Sequence, residues 1–315
     1  MTTESAKFPR THVDFVARIC GAAVFFCCAI GLTGVKPCFA DDPGSLQPLC
    51  VVEFDQINEA SGLAISRKNE NAVWIHNDSG DTPRLFLVGI DGVCRAIVTL
   101  PDAEAVDWED MCSFEANGES WLLIGDIGDN DRKRSLSRKP CRLYLLKEPR
   151  IAPGNGLPTT TWNVSAVVEF EYEDGPWNCE GLAVDTQLNR IVLLTKAAPH
   201  KCALFSMPLN LQDAKQTAVA RRDVSLSVPF ATGIDISPDG TSLAIATMLN
   251  GLEIRRTSGQ SWADAVTQTT SPIVFALPPR RQGETICFDV TGKYLFLNSE
   301  GVAQPLWRIL NPSQP

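Results

Sequence analysis

Five oxygen-bearing residues recur, each just ahead of a short apolar run: Ser61, Glu109, Glu180, Thr232 and Glu284. The steps between them are 48, 71, 52 and 52 residues. The runs they introduce are Gly62-Leu63-Ala64-Ile65, Asp110-Met111-Cys112, Gly181-Leu182-Ala183-Val184, Gly233-Ile234-Asp235-Ile236 and Thr285-Ile286-Cys287-Phe288. Carboxylates and hydroxyls are hard donors, of the kind that surround Ca²⁺ with waters completing six to eight ligands. If the five converge, three carboxylates crowd one narrow space and raise one another's pKa. A divalent cation relieves that crowding. The five are therefore the predicted metal ligands, and Ca²⁺ the predicted ion.

A second set follows the next apolar run of each repeat, in Asn77-Asp78-Ser79-Gly80-Asp81, Gly125-Asp126-Ile127-Gly128-Asp129-Asn130, Thr195-Lys196, Ala246-Thr247 and Asn298-Ser299-Glu300. Asp-Gly-Asn segments also simply turn. Acids leaving the same end of several repeats suggest a substrate surface. Asp78, Asp126 and Glu300 are the candidate acid–base or second-metal groups, and Lys196 the candidate neutraliser of an anionic substrate.

The elements that position these residues are short strands. Almost no stretch has helical periodicity. β-rich runs such as Trp74-Ile75-His76, Leu85 to Val88, Trp121 to Ile124, Val192 to Leu194 and Tyr294 to Leu297 alternate with Gly, Pro, Asn and Asp clusters. Third strands are expected at Arg84–Val88, Arg142–Leu146, Ala203–Met207, Leu252–Arg255 and Leu306–Leu310. Outer strands are expected at Ala96–Leu100, Val167–Tyr172, Val224–Val228 and Ile273–Leu277. Four strands in about fifty residues make one propeller blade. The fold expected is an all-β, five-bladed propeller whose first strands line the central channel. Val51-Val52-Glu53-Phe54 has the character of the missing outer strand of the last blade and would close the ring without an exposed edge. The long second step holds Asp129 to Lys139 and Ala152 to Pro158, read as loops. Splitting that step instead gives the alternative, a six-bladed propeller.

Residues 1–40 read as a signal peptide. Arg10 and Arg18 precede the apolar run Ile19 to Leu32, and Cys38-Phe39-Ala40 offers a small-residue cleavage site. The run is shorter than a bilayer needs, and an uncleaved membrane anchor is the alternative. Residues 41–315 are then a single propeller domain. It is expected to be exported to the periplasm or beyond, free of the membrane once the leader is removed, and monomeric. The whole chain of 315 residues carries 28 basic and 37 acidic residues. Removing residues 1–40 leaves 24 basic and 35 acidic residues, a net charge of −11. That balance excludes general nucleic-acid binding. Three histidines, His12, His76 and His200, argue against a His-rich zinc site. Nucleotide-loop, nucleophile-elbow, zincin and dinucleotide motifs are absent. The seven cysteines beyond residue 40 show no CxxC spacing, and no disulfide is assigned.

The ring order Ser, Glu, Glu, Thr, Glu resembles the central calcium site of the calcium-activated nucleotidases, or soluble apyrases, five-bladed propellers with a Ser/Glu/Glu/Ser/Glu ring. Trp74 to Gly80 and Leu122 to Asn130 fall where that family carries its Asp-Asp-Arg-Thr-Gly and Gly-Gly-Leu-Gly-Lys-Glu segments. The phrases His76-Asn77-Asp78-Ser79-Gly80-Asp81, Asp107-Trp108-Glu109-Asp110 and Gly125-Asp126-Ile127-Gly128-Asp129-Asn130 resemble more closely a group of exported bacterial propellers with no assigned reaction. The nucleotidase resemblance implies a calcium-dependent hydrolase. The departures weaken nucleotide chemistry, which needs cations around the phosphates. Ser79 replaces an Arg, Asp126, Asp129 and Asn130 replace Gly, Lys and Glu, Thr247 replaces a Lys, and only Lys196 remains. Two functions follow. One is a Ca²⁺-dependent hydrolase of phosphoester or ester substrates, taking a small molecule at the propeller mouth. The other is a non-catalytic, Ca²⁺-stabilised propeller that binds a protein or glycan there. Basic residues in the segment 129–139 (Arg132, Lys133, Arg134, Arg138, Lys139) are read as a solvated charged loop.

Overall fold

A computed structural model describes residues 47–130, 133–137, 139–152, 156–198, 201–269 and 271–314. The leader expected at 1–40 lies outside them, as do His12 and His200. Among the described residues no helix is long and apolar enough to cross a membrane.

The strands group into successive four-stranded antiparallel units. The first runs from Ala60–Ile65 through Ala72–Asn77 and Arg84–Gly89 to Cys94–Thr99. The second uses Trp108–Ala116, Glu119–Asp126, Cys141–Lys147 and Ala166–Tyr172. The third uses Cys179–Asp185, Arg190–Thr195, Cys202–Pro208 and Lys215–Leu226. The fourth uses Ala231–Ile236, Ser242–Thr247, Gly251–Arg255 and Ile273–Phe275. The last starts at Cys287–Phe288, continues through Tyr294–Leu297 and Pro305–Leu310, and takes its outer strand from Cys50–Val51. First strands of neighbouring units touch in sequence, and that of the last unit touches that of the first. The fold is a β-propeller.

Closure by the N-terminal segment is as expected, but the strand is short. Cys50 pairs with Leu306 and Val51 with Pro305. The long second step adds a short helix, Lys133–Ser137, and a three-residue strand, Thr159–Thr161. That strand pairs in parallel with Cys94–Thr99. Neither builds a further four-stranded unit. The outer strand expected at Val224–Val228 begins much earlier, at Lys215. Its first half pairs in parallel with the outer strand of the second blade, Val167 against Lys215 through Tyr172 against Ala220. A second helix, Trp262–Gln268, lies in a segment where no helix is expected from the sequence. Ser261 caps it, accepting from the Asp264 N–H at 3.0 Å.

Alternation along the strands builds the core. In Leu63-Ala64, Leu63 packs with Cys287, Phe296 and Leu306 of the last blade, and Ala64 with Met111, Leu122 and Ile124 of the second. In Leu182-Ala183, Leu182 faces the second blade and Ala183 the fourth. With both sheet faces buried, a strand reads as a continuous apolar run, and period two divides it between the two neighbours. Each gap between adjacent blades is a separate apolar layer.

All seven described cysteines are free thiols, with Cys112, Cys141, Cys179, Cys202 and Cys287 buried in these layers.

Candidate metal centre at the channel mouth

Four of the five ring residues sit at irregularities of the innermost hairpins. The pairing register shifts between Ala60 and Gly62, Trp108 and Asp110, Cys179 and Gly181, and Ala231 and Gly233. The residue skipped each time is Ser61, Glu109, Glu180 or Thr232. A β-bulge takes one residue out of the ladder and re-aims its side chain. Glu284 comes just before Cys287–Phe288 and lies outside a strand. All five are buried.

The hydroxyls tie neighbouring blades together. Ser61 Oγ donates to the Glu109 carbonyl at 2.6 Å, and Thr232 Oγ1 to the Gly283 carbonyl at 2.9 Å. Their protons are committed, which leaves oxygen lone pairs free. One residue deeper, Asp110 stands where three other blades have glycine. Its Oδ2 accepts from the N–H groups of Leu182 at 2.8 Å and Ile234 at 3.3 Å. Asp235 accepts similarly from Phe288 at 2.8 Å and Ile236 at 2.9 Å. These acids stitch inner strands together across the axis. Burial pushes the carboxyl of Asp110 well above its usual range and that of Asp235 up to about 7.

The ring carboxylates make two sets of contacts, linked where the side chains of Glu109 and Glu180 meet. On one side, oxygens of Asp78, Asp107 and Glu109 lie within 4.8 Å of one another. Burial, then the charges of Glu180, Asp78 and Asp107, hold Glu109 well above the ordinary carboxylate range. Asp78 is pushed up to about 6, again by burial first and then by Asp107, Glu284 and Glu59. On the other side, Lys196 Nζ lies 3.1 Å from Glu180 Oε2 and 3.9 Å from Glu284 Oε2. Glu180 also accepts from Asn178 Nδ2 at 2.8 Å. Burial still lifts Glu180 to about 7, against the pull of Lys196.

The carboxylates of Asp107 and Glu109 pack directly against the Gly128 backbone, an approach that only glycine allows. A Cβ there would overlap Glu109 Oε1 and stand 2.6 Å from Asp107 Oδ2. A hard cation fits this donor set of three carboxylates.

The four candidate catalytic residues have different fates. Asp78 faces the site. Glu300 is half-buried within the field of Glu284, Asp78 and Glu59, and burial together with those charges lifts it to about 7. Lys196 is not a free anion receptor, because its ammonium is committed to Glu180 and Glu284. Compensation of the ring charge, expected from a metal, is thus partly supplied by the chain itself. Asp126 does not face the mouth. It is fully buried and paired with Arg134, and its Oδ1 accepts from the Asp107 N–H at 2.9 Å. Arg134 also donates to the carbonyls of Gly128 at 2.9 Å and Pro140 at 2.6 Å. The residue expected in a solvated basic loop is therefore a buried clamp behind Asp107 and Gly128. Of the other basic residues there, Arg132 and Arg138 lie outside the described residues.

Asp107, Asn130, Asn178 and Arg280 complete the site without having been singled out in sequence. Asn130 Nδ2 reaches Glu109 Oε1 at 3.2 Å, and Asn178 Nδ2 reaches Asn130 Oδ1 at 3.0 Å. The signal for Asp107 was Asp107-Trp108-Glu109-Asp110 itself. Three acids at the start of an inward strand need three partners. Thr247 lies in the second polar layer but caps its own turn, donating to the Asn250 carbonyl at 2.8 Å. His76 is sealed against Gly62 and edge-on to Trp108 at 5.2 Å. Burial lowers it to about 4, so it is neutral.

No family model matches the chain, and no curated protein does. Among solved structures, a gluconolactonase from Xanthomonas campestris is 15% identical. The match covers 85% of this chain and 89% of that one, with a TM-score of 0.46. The PQQ-bound aldose sugar dehydrogenase of Streptomyces coelicolor is 11% identical over 84% and 97% of the two chains, also at 0.46. A structure of the nidogen/laminin complex matches at 11% identity over 76% and 72%, with a TM-score of 0.42. At such values no substrate or reaction carries over to this chain.

Proposed function

We propose that this chain is an exported, calcium-dependent hydrolase of ester-type substrates, acting at the mouth of the propeller channel. The observation that carries the reading is the convergence of Asp78, Asp107 and Glu109 within 4.8 Å, in a cradle that a Cβ at position 128 would fill. An all-oxygen, carboxylate-rich set without His or Cys favours Ca²⁺ over Zn²⁺. Asp78, Asp107 and Glu109 would hold the ion, with Asn130 orienting Glu109. When bound, such an ion supplies Lewis acidity toward a carbonyl or phosphoryl oxygen. Glu300, half-buried among these acids, would be the group to protonate a leaving alkoxide as water attacks the ester carbon.

Charge decides between ester classes. Glu59, Asp78, Glu109, Glu180, Glu284 and Glu300 act on one another here, and Lys196 and Arg280 are the cations that offset them. A dianionic phosphate is repelled, so a neutral ester or lactone is the better substrate and nucleotide hydrolysis is disfavoured. Commitment of Lys196 and Asp126 to internal partners supports a second reading, a calcium-stabilised propeller that binds a protein or glycan without turnover. A panel of neutral esters, lactones and phosphoesters, assayed with calcium and with chelator, separates the two. Chelator-sensitive turnover of neutral esters, lost in folded Asp78→Ala, is the result expected. No turnover across the panel would leave the binding reading.

A further inference from the structure

The mouth end of the fourth blade carries three large apolar side chains that stay in solvent: Phe230 is 45% exposed, Met248 64% and Leu249 78%. Phe230 precedes the inner strand Ala231–Ile236. Met248 and Leu249 follow Ser242–Thr247, whose last residue pairs with Ala231. At the same hairpin the first, second and fifth blades carry Asp78-Ser79-Gly80-Asp81, Ile127-Gly128-Asp129-Asn130 and Asn298-Ser299-Glu300. The fourth blade thus replaces a polar turn with an apolar one.

Both segments are fixed. Thr247 Oγ1 donates to the Asn250 carbonyl at 2.8 Å and accepts from the N–H groups of Leu249 at 3.1 Å and Asn250 at 3.0 Å, which closes the turn. The Phe230 carbonyl accepts from the Met248 N–H at 3.3 Å, and the Phe230 N–H donates to the Ala197 carbonyl at 3.2 Å. These bonds hold Phe230 at φ 50°, a left-handed conformation that bulky side chains rarely adopt. The three side chains form one preorganised ledge, and it is continuous with the candidate centre. Ala197 follows Lys196, and Thr232 lies two residues beyond Phe230, about 7 Å along the strand. The third blade separates the ledge from Asp107 and Glu109, and the fifth separates it from Asp78. The mouth is therefore apolar on one side and acidic on the other.

We infer that the mouth takes a neutral ligand with an apolar chain, the chain lying on Phe230, Met248 and Leu249 and the polar end reaching the carboxylates of the first two blades. The acids oppose an anionic head group. Met248, unbranched and adaptable, suits a flexible chain. For the proposed hydrolase the substrate is then an ester of a medium-length aliphatic acid, and to that extent the inference rests on that reading.

Two ligand series on the full protein test it. One is p-nitrophenyl esters from acetate to octanoate with calcium, read as kcat/KM. The other is alkyl glucosides from hexyl to nonyl, neutral and without an ester, read as affinity by calorimetry below micelle formation. A methylene taken wholly out of water is worth about fourfold in affinity, and one covered from a single side about twofold. Both series should rise by about twofold per methylene, which is about eightfold from hexyl to nonyl. Met248→Ser combined with Leu249→Ser changes only an exposed turn and should flatten both slopes. Phe230→Gly, which suits the left-handed backbone, should flatten them as well. Slopes that are flat in the parent, or that survive in both variants, would overturn the inference. So would a parent that sediments with neutral phosphatidylcholine vesicles through Met248 and Leu249 yet shows no slope on soluble glucosides, because the ledge would then be a lipid-surface contact. Glucoside affinity that rises with chain length, with no ester hydrolysed, would sink the proposed function and support the ledge. Calcium-dependent ester hydrolysis indifferent to chain length would do the reverse.

Discussion

Gly128→Ala tests whether the off-axis carboxylates hold an ion. The backbone at 128 is not in the left-handed region, so alanine adds only its methyl group. That carbon would overlap Glu109 Oε1 and lie 2.6 Å from Asp107 Oδ2, where ordinary contact begins at 3.4 Å. The carboxylate of Asp107 must therefore move by about 0.8 Å, and that of Glu109 further. Calcium ligands lie within a window of about 2.3–2.6 Å from the ion, so both cannot move and still share one. Two carboxylates can swing aside more easily than a packed core, and the cost without calcium should fall at the low end of the 1–3 kcal/mol typical of overpacking. The parent, by contrast, should gain about 2.7 kcal/mol at calcium a hundredfold above its Kd. Spread over the folded part of this chain, that corresponds to a Tm rise of about 5 °C. Thermal unfolding in excess chelator and then across a calcium titration reads both quantities. The parent should show the full, saturable rise and Gly128→Ala almost none. A variant that melts like the parent in chelator and still shows the whole calcium shift would refute the placement of the ion.

Arg134→Met leaves Asp126 buried without its cation and removes the donors to Gly128 and Pro140. It should cost about 3–5 kcal/mol in denaturant unfolding, and calcium binding should weaken as Asp107 loosens. Asp235 gives a pH signature. Burial raises its folded pKa to about 7 above an unfolded value near 3.8. Its contribution is then complete below about pH 4 and is lost as pH rises toward 7, on the order of 4 kcal/mol across that window. Asp235→Asn should flatten that part of the pH–stability curve, measured as the difference from the parent; equal slopes would count against it. Gly62→Ala would drive a methyl group into the His76 ring, with Cε1 at 2.6 Å, and neither partner can yield in the core. A loss of several degrees in Tm or failure to fold is expected; unchanged melting would show the ring to be mobile.

Much of the architecture is legible because each inner strand repeats one local device. A polar residue falls out of the ladder at a bulge, and a run buried on both faces follows. Ser61, Glu109, Glu180 and Thr232 could be found that way, since bulge and apolar run are both local. The parallel pairing of Val167–Tyr172 with Lys215–Ala220 could not. It depends on two outer strands of different blades meeting, and no local pattern in Lys215-Gln216-Thr217-Ala218-Val219 encodes that encounter.

The same distinction explains the site. Asp126 ends its second strand opposite Trp108, as Asn77 ends its own opposite Ala60, so Asp78 lies one residue further along and Asp126 is buried behind the mouth. That one-residue offset separates them, and Arg134, eight residues beyond Asp126, donates to the Gly128 carbonyl and pairs with the inward carboxylate. Lys196 leaves its strand at the same level. It meets Glu180 because Lys196 and Asn178 are joined across the top of one hairpin by the Lys196 N–H to Asn178 carbonyl bond at 2.9 Å. Residue type could nominate each of these groups for chemistry. Which charges remain unspent is decided by partners on other loops. Asp126 and Lys196 have spent theirs within the chain, and Asp78 and Glu109 have not. The excess acidity that remains lies at Asp78 and Glu109, against the Gly128 backbone. A cation arriving from solvent would be held there.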